Sequence, residues 1–203
     1  MKRLIAYELR MWLALGRWIA RRPPRGGRPF RYAAPVVPII WTFIVLSAVE
    51  IPIADLLLPW HSVRIAMLVL GAWGVTWMVG LLASMYVNTH TIGEEGITIR
   101  YGLNIDFFVP WEAIAEVRAN KRPLQTSKTI HFDQTSAGSA LSVAVGSQTA
   151  VDLVLAEPRV VRLPSGDSEP VTEIRVNADD PNAFVAEARE HLSRRRAESA
   201  SAR

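Results

Sequence analysis

Residues 65–87, IAMLVLGAWGVTWMVGLLASMYV, run for 23 positions without a charge. At 1.5 Å per residue, a helix of that length crosses a hydrocarbon core of about 30 Å. Residues 33–49, AAPVVPIIWTFIVLSAV, form a second uncharged stretch of 17 residues. It extends toward Ile53 with Glu50 near an interface. A short polar turn separates the two stretches. Together they read as a membrane hairpin, and the remaining chain of a 203-residue protein has room for one small soluble domain.

Charge is distributed unevenly around that hairpin. Residues 1–32 carry nine Lys/Arg against the single Glu8, residues 33–87 sum to −1, and residues 88–203 sum to −3, giving the overall +4. The basic character therefore belongs to the N-terminal flank and is first a matter of membrane electrostatics. The chain has no cysteine, which excludes disulfides, thiolate catalysis and Cys-based zinc sites. Met11–Ala20 resembles a short signal-peptide core, but Arg17 interrupts it and no small-residue cleavage site follows Arg21-Arg22. The N-terminus is read as retained. Five arginines (Arg21, Arg22, Arg25, Arg28 and Arg31) precede the first span, against Arg64 alone in the turn. The positive-inside rule places both termini in the cytoplasm, with the turn around Trp60 outside.

Residues 1–22 are expected to form an amphipathic helix. Arg3, Arg10, Arg17 and Arg21 share one face, and Leu4, Met11, Leu15, Trp18 and Ile19 occupy the rest. Such a helix suits the headgroup plane, with docking on the protein's own soluble domain as the alternative. Residues 23–32 read as a basic Pro/Gly linker without periodicity. These arginines, Arg22, Arg25, Arg28 and Arg31 included, are candidates for anionic lipid headgroups. No nucleic-acid reading motif accompanies them.

The spans are bounded at 33–54 and 63–87. Pro52 is expected to kink or end the first. Glu50, Asp55 and Arg64 are the ionisable residues at the outer end, and an Arg64–Glu50 or Arg64–Asp55 pair closing the hairpin outweighs an ion pathway. Gly71, Gly74, Val75, Thr76 and Gly80 offer close-approach positions in the second span, for contact with the first span or for oligomerisation.

From Asn88 the pattern changes to short alternating runs. Ile97, Ile99 and Tyr101 alternate with polar neighbours, then Ile105, Phe107 and Val109 do the same. Further strands are expected at 114–118, 129–132, 141–145, 151–155, 159–163 and 171–176, with loops at 133–140 and 164–170. Asp180 caps a final helix that begins at Pro181 and carries the stripe Phe184, Ala188, Leu192. Residues 197–203 are expected to be a disordered tail. Many short strands closed by one helix imply a small barrel or sandwich of about seven strands.

Thr91-Ile-Gly-Glu-Glu-Gly-Ile-Thr-Ile-Arg-Tyr-Gly102 and Val109-Pro-Trp-Glu-Ala-Ile-Ala-Glu-Val117 carry a resemblance. So does Ile174-Arg-Val-Asn-Ala-Asp-Asp-Pro-Asn-Ala-Phe-Val185. With the preceding hairpin, these segments resemble bacterial pleckstrin-homology-like membrane proteins of the actinobacterial type. The resemblance implies a membrane α-hairpin followed by an α+β, PH-like domain over about residues 90–196. It brings no catalytic residues.

The residues themselves offer no catalytic centre, cofactor site or metal site. His61, His90, His131 and His191 have no metal-ligand spacing. Glu94-Glu95 and Asp179-Asp180 have turn and cap roles, and no nucleophile elbow or phosphate loop is present. Trp111 is expected in the core near Phe184 and Leu192. Lys121, Arg122 and Lys128 lie between expected strands, where they read equally as a lipid-facing rim or a solvated loop. The resulting expectation is a non-enzymatic membrane protein whose tethered domain binds a protein partner or itself, with anionic lipid as a second partner. The alternatives are a lipid or membrane-stress sensor, and an accessory subunit of a larger membrane complex.

Overall fold

The computed structural model describes residues 2–21, 26–136, 138–164 and 166–201; side chains of residues 2–6 and 199–201 are not described. Arg22 and Arg25, the side chain of Arg3, and residues 202–203 of the expected tail therefore lie outside the described residues. The chain divides into two compact units, one made of Met1–Arg22 and Val36–Val87, the other of Pro23–Pro35 and Asn88–Arg203.

The first unit holds three helices, α1 (Lys2–Ile19), α2 (Val37–Leu57) and α3 (His61–Val87). Among the described residues, only α2 and α3 are long and apolar enough to cross a membrane, each with a mean hydropathy of 2.0. Their surfaces are apolar and exposed, as at Trp41, Phe43, Val45 and Leu70. α2 begins at Val37, later than the expected residue 33, with a proline in its first turn, where its missing N–H costs nothing. Pro52 lies inside α2, which continues to Leu57. Two glycines let the helices approach. A Cβ on Gly71 would lie 2.6 Å from Ile51 Cγ1 of α2, and one on Gly80 would lie 2.9 Å from Met11 Cγ of α1. Small residues at such crossings let side chains from the neighbour fill the space. α1 thus packs along α3, burying Met11 and Ala14, with ring contacts Tyr7–Trp77, Trp12–Trp73 and Trp18–Tyr86. Neither partner expected for α1 included α3.

The second unit is a two-sheet β-sandwich with a closing helix. The first sheet orders β1 (Arg28–Phe30), β2 (His90–Ile92), β3 (Gly96–Tyr101) and β4 (Ile105–Pro110), all antiparallel. A 3-10 turn over Trp111–Ala113 leads into the second sheet. Its strands are β5 (Ile114–Pro123), β6 (Ile130–Thr135), β7 (Gly138–Val143), β8 (Gln148–Arg159) and β11 (Val171–Val176), in the order β5-β8-β11-β7-β6. β11 and β7 are parallel and the other pairs antiparallel. A small ribbon, β9 (Arg162–Leu163) with β10 (Gly166–Asp167), precedes β11. The alternating residues Ile97, Ile99, Ile105, Phe107 and Val109 face the core together with Leu141, Leu153 and Ile174.

α4 (Pro181–Ser201) closes the unit with Phe184, Val185, Ala188 and Leu192. Asp180 caps it, its Oδ1 accepting the Ala183 N–H at 3.0 Å. The helix runs through Ser201 and takes in most of the segment expected as tail. Trp111 is 2% exposed. Its Nε1 donates to the Gly93 carbonyl at 3.1 Å, and its ring stacks on His191 at 5.2 Å.

Further expectations for this unit change: the expected loop 164–170 holds β10, and of the expected strand 159–163 Arg159 ends β8 while Arg162–Leu163 form β9. Residues 28–30 of the expected linker form β1, because pairing with β2 comes from residues some sixty positions away and leaves no local periodicity. The expected loop 133–140 is the end of a β6–β7 hairpin, with Asp133 opposite Ala140 and Thr135 opposite Gly138; Ala137 lies outside the described residues. Its Ser, Thr, Ala and Gly residues hide the two-residue period that larger side chains display. Lys121 and Arg122 lie within β5, since a register shift between Ala119 and Arg122 lets the strand continue past its apolar part. Lys128 follows β5 in an exposed segment.

Candidate functional site

The first feature of the second unit is its seam, built by residues on both sides of the α2–α3 segment. Tyr32 is fully buried between His90 and Tyr101, at ring distances of 4.8 and 5.5 Å. Its hydroxyl accepts the Gly102 N–H at 2.7 Å, and its carbonyl accepts Asn177 Nδ2 at 2.7 Å. Phe30 meets Phe184 edge-on at 5.1 Å. The Arg31 carbonyl accepts the Asp179 N–H at 2.8 Å, and Asp179 Oδ1 accepts the Ala34 N–H at 2.9 Å. Phe30, Tyr32 and Ala33 of this segment are therefore part of the core.

His90 sits in that seam with both ring nitrogens engaged. Nε2 faces the Asn177 carbonyl at 2.9 Å and Nδ1 accepts the Arg100 N–H at 3.1 Å. A carbonyl only accepts, so the ring is neutral with its proton on Nε2. Burial lowers its pKa to about 4, reinforced by the Arg100 charge and opposed by the Asn177 hydrogen bond. Burial likewise drives the Tyr32 phenol well above its ordinary range and raises the Asp179 carboxyl.

The second feature is a charged ladder on the face of the five-stranded sheet opposite the core. One row crosses all five strands: Arg118, Asp152, Arg175, Ser142 and His131. The Asp152 side chain is fully buried beneath its neighbours; Oδ2 accepts Asn120 Nδ2 at 2.8 Å and lies 3.4 Å from Arg122 Nη2 and 3.6 Å from Arg118 Nε. Arg118 also reaches Glu173 at 3.6 Å, Arg175 Nε donates to Glu173 at 2.7 Å, and Arg175 Nη1 reaches Asp133 at 3.2 Å. His131 Nε2 lies 2.9 Å from Asp133. Acids and bases alternate, so the face carries no single-sign potential. Asp152 Oδ1 and Ser142 Oγ are buried without a hydrogen-bond partner.

The expected site residues are dispersed over these features. Arg122 is drawn inward onto Asp152, whereas Lys121 and Lys128 are exposed. Arg28 pairs with Glu187 of α4 and stands 5.6 Å over the Phe30 ring, and Arg31 is exposed, its charge favouring the Asp179 carboxylate. Arg10 and Arg21 are exposed and Arg17 half-buried. Arg64 Nε lies 3.1 Å from Asp55 Oδ1, and Glu50 is exposed on α2. Arginines of α4 hold carbonyls of the sandwich: Arg189 binds Val117, Arg195 binds Glu94, and Arg196 binds Ala115, at 3.0, 3.0 and 2.8 Å. Arg195 also pairs with Glu112. Among the described residues no cluster of His, Asp and Glu has metal-binding geometry.

A family model described as "Bacterial PH domain" matches residues 89–195, just over half of the chain. The chain belongs to the bacterial PH domain family. The matched segment contains β2 through most of α4 but neither β1 nor Tyr32, so this PH domain completes its first sheet with residues that precede the two apolar helices. Comparison with curated proteins and with solved structures gave no match.

Sequence reasoning missed Tyr32, His90 and Asn177. Each is a single polar or amphipathic residue beside a boundary, and only the β1–β2 pairing joins them. Asp152 carried a legible signal: an acid between Val151 and Leu153 in a strand has to face away from the core.

Proposed function

We propose that this is a non-enzymatic integral membrane protein whose α2–α3 hairpin tethers the PH domain to the cytoplasmic face of a bacterial inner membrane. One observation carries the reading. β1 precedes α2 and β2 follows α3, yet Phe30 pairs with His90 and Arg28 with Ile92. Both flanks of the hairpin end in one folded unit and hence on one side of any bilayer. Two crossings satisfy that condition, and the arginine-rich flank favours the cytoplasmic side. The outer pair, Arg64–Asp55, sits at the opposite end of the hairpin, where an interface would solvate it. The basic face of α1, with Arg10, Arg17 and Arg21, is suited to anionic headgroups.

Tethering works through effective concentration. A domain held within nanometres of the membrane needs less intrinsic affinity for a partner in the same plane. The domain's role is then recognition of a protein partner or of itself. The buried titratable groups support a non-catalytic reading, because His90 and Tyr32 are locked to backbone partners inside the core.

The absence of cysteine allows a direct test. Single cysteines at Trp60 in the turn and Asp167 in the β9–β10 ribbon are labelled in intact spheroplasts with a membrane-impermeant maleimide. Labelling of W60C without D167C supports the assignment. Labelling of D167C in sealed cells, or of both positions equally, overturns it.

A further inference from the structure

The two edges of the five-stranded sheet are finished differently. The β5 edge lies under α4, contains two register shifts, and ends in Lys121, Arg122 and Pro123. Lysine, proline, bulges and a covering helix all prevent an edge from pairing with another chain. The β6 edge has none of these. Its residues, Ile130-His131-Phe132-Asp133-Gln134-Thr135, contain no Lys or Pro. They pair with β7 over six uninterrupted positions, and β7 is their sole strand partner among the described residues. Phe132, on the core side of the sheet opposite Leu141, is left 42% exposed.

We propose that the free edge of β6 is a homodimer seam, at which β6 of a second copy pairs antiparallel about a two-fold axis through Phe132. The sequence is self-complementary in that register. The axis sets Phe132 against its own copy and His131 against the copy's Asp133, twice. Residues directly opposite in an antiparallel pair share a face of the sheet, and every pair here meets that condition. A one-residue slip would set Phe132 against Asp133 on the wrong face. The two phenyl rings would cover each other's exposed area, and the imidazole–carboxylate pairs would match polar groups outside it. The seam buries little area for a stable dimer in free solution. Two domains confined to one membrane plane need far less affinity, so the seam deepens the self-association branch of the proposed function and rests on the tether for its concentration.

The test uses the full-length, cysteine-free chain in native membranes. Antiparallel partners stand about 4.5–5.5 Å apart between Cα atoms, within disulfide reach. The two Gln134 residues would be about 14 Å apart along the seam, out of reach. Under copper-phenanthroline oxidation, F132C is expected to form on the order of ten-fold more disulfide-linked dimer than Q134C. Differently tagged H131C and D133C chains, co-expressed, are expected to give more mixed dimer than either gives with itself. Equal linkage of F132C and Q134C overturns the proposal, as does the absence of F132C dimer. Linkage of F132C to a foreign protein also overturns it, in favour of a different strand partner. Because Phe132 is partly exposed, F132C leaves the core intact. The cross-link reads pairing whichever side the domain faces, so its failure and a failed topology assignment are separately visible.

Discussion

The helical unit and the sandwich use the same residue types in opposite ways. Trp111 is 2% exposed in the sandwich, whereas Trp41 on α2 is 46% exposed. The sandwich spends its Ile, Val and aromatic residues inward, around a continuous core. The helices α2 and α3 turn theirs outward, with Ile44 the only fully buried large apolar residue of α2. Hydrophobic burial stabilises the first arrangement in water at roughly 25 cal/mol per Å². The second arrangement is stable only where its surroundings are themselves apolar, and a bilayer core is such a surrounding. Apolar residues fill both units; periodicity and the placement of charge tell them apart.

The largest effect expected from this contrast is at its tryptophans. Trp111→Ala removes a buried ring, its stack on His191 and the bond to Gly93, and should cost about 3–5 kcal/mol. Trp41→Ala should leave unfolding of the full-length protein in lipid nanodiscs nearly unchanged. Denaturant unfolding of the two variants side by side gives the comparison. Equal losses would mean that protein rather than lipid covers α2.

Next comes the seam histidine. In the unfolded chain a histidine titrates near 6.5, but in the folded domain His90 titrates at about 4. Between those values the unfolded chain takes up a proton that the folded one refuses. Stability is therefore full above about pH 6.5, falls as pH drops, and levels off below about 4. The loss from this one group is about 3 kcal/mol, order of magnitude. Unfolding measured from pH 7.5 to 4 should fall more steeply for the natural chain than for His90→Gln. Parallel pH profiles would mean that His90 is solvated.

Tyr32→Phe asks whether a residue outside the matched family segment behaves as core. It leaves the buried Gly102 N–H without its acceptor, which should cost about 1–3 kcal/mol. A neutral result would detach segment 28–34 from the domain and remove the main support for a two-crossing hairpin.

How much of this was legible depended on how local the determinants were. The apolar helices, the Ile97–Ile99 and Ile105–Val109 strands, and the Asp180 cap announce themselves within a few residues. β1 did not, because three residues in an Arg/Pro/Gly stretch become a strand only when β2 is beside them. The β6–β7 hairpin was misread for a related reason: Ser139, Ala140 and Ser142 are too small to display alternation, although Ala140 and Ser142 are fully buried. The charged ladder was invisible, since Arg118, Asp152 and Arg175 become neighbours only through register across β5, β8 and β11. Local patterns thus disclosed the elements, while the seam and the ladder exist only in their pairing.

The smallest effect tests where charge matters. Arg194 and Glu190 form an i, i+4 pair on the outer surface of α4, at 2.8 Å and with both side chains more than half exposed. Solvent screening and side-chain entropy limit such a pair to about 0.3–0.5 kcal/mol. Arg175 is chemically the same residue, but its side chain is 9% exposed and holds Glu173 and Asp133 together. Replacing it leaves Glu173 with Arg118, and Asp133 with His131, as their remaining ion-pair partners. Arg194→Ala should move the unfolding midpoint barely beyond measurement error, and Arg175→Ala by several times more. If the two substitutions cost the same, the ladder is merely a solvated surface and its alternating order has no structural consequence. If Arg175→Ala alone is costly, and Asp133→Asn added to it recovers part of the loss, the cost lies in uncompensated carboxylates rather than in lost packing.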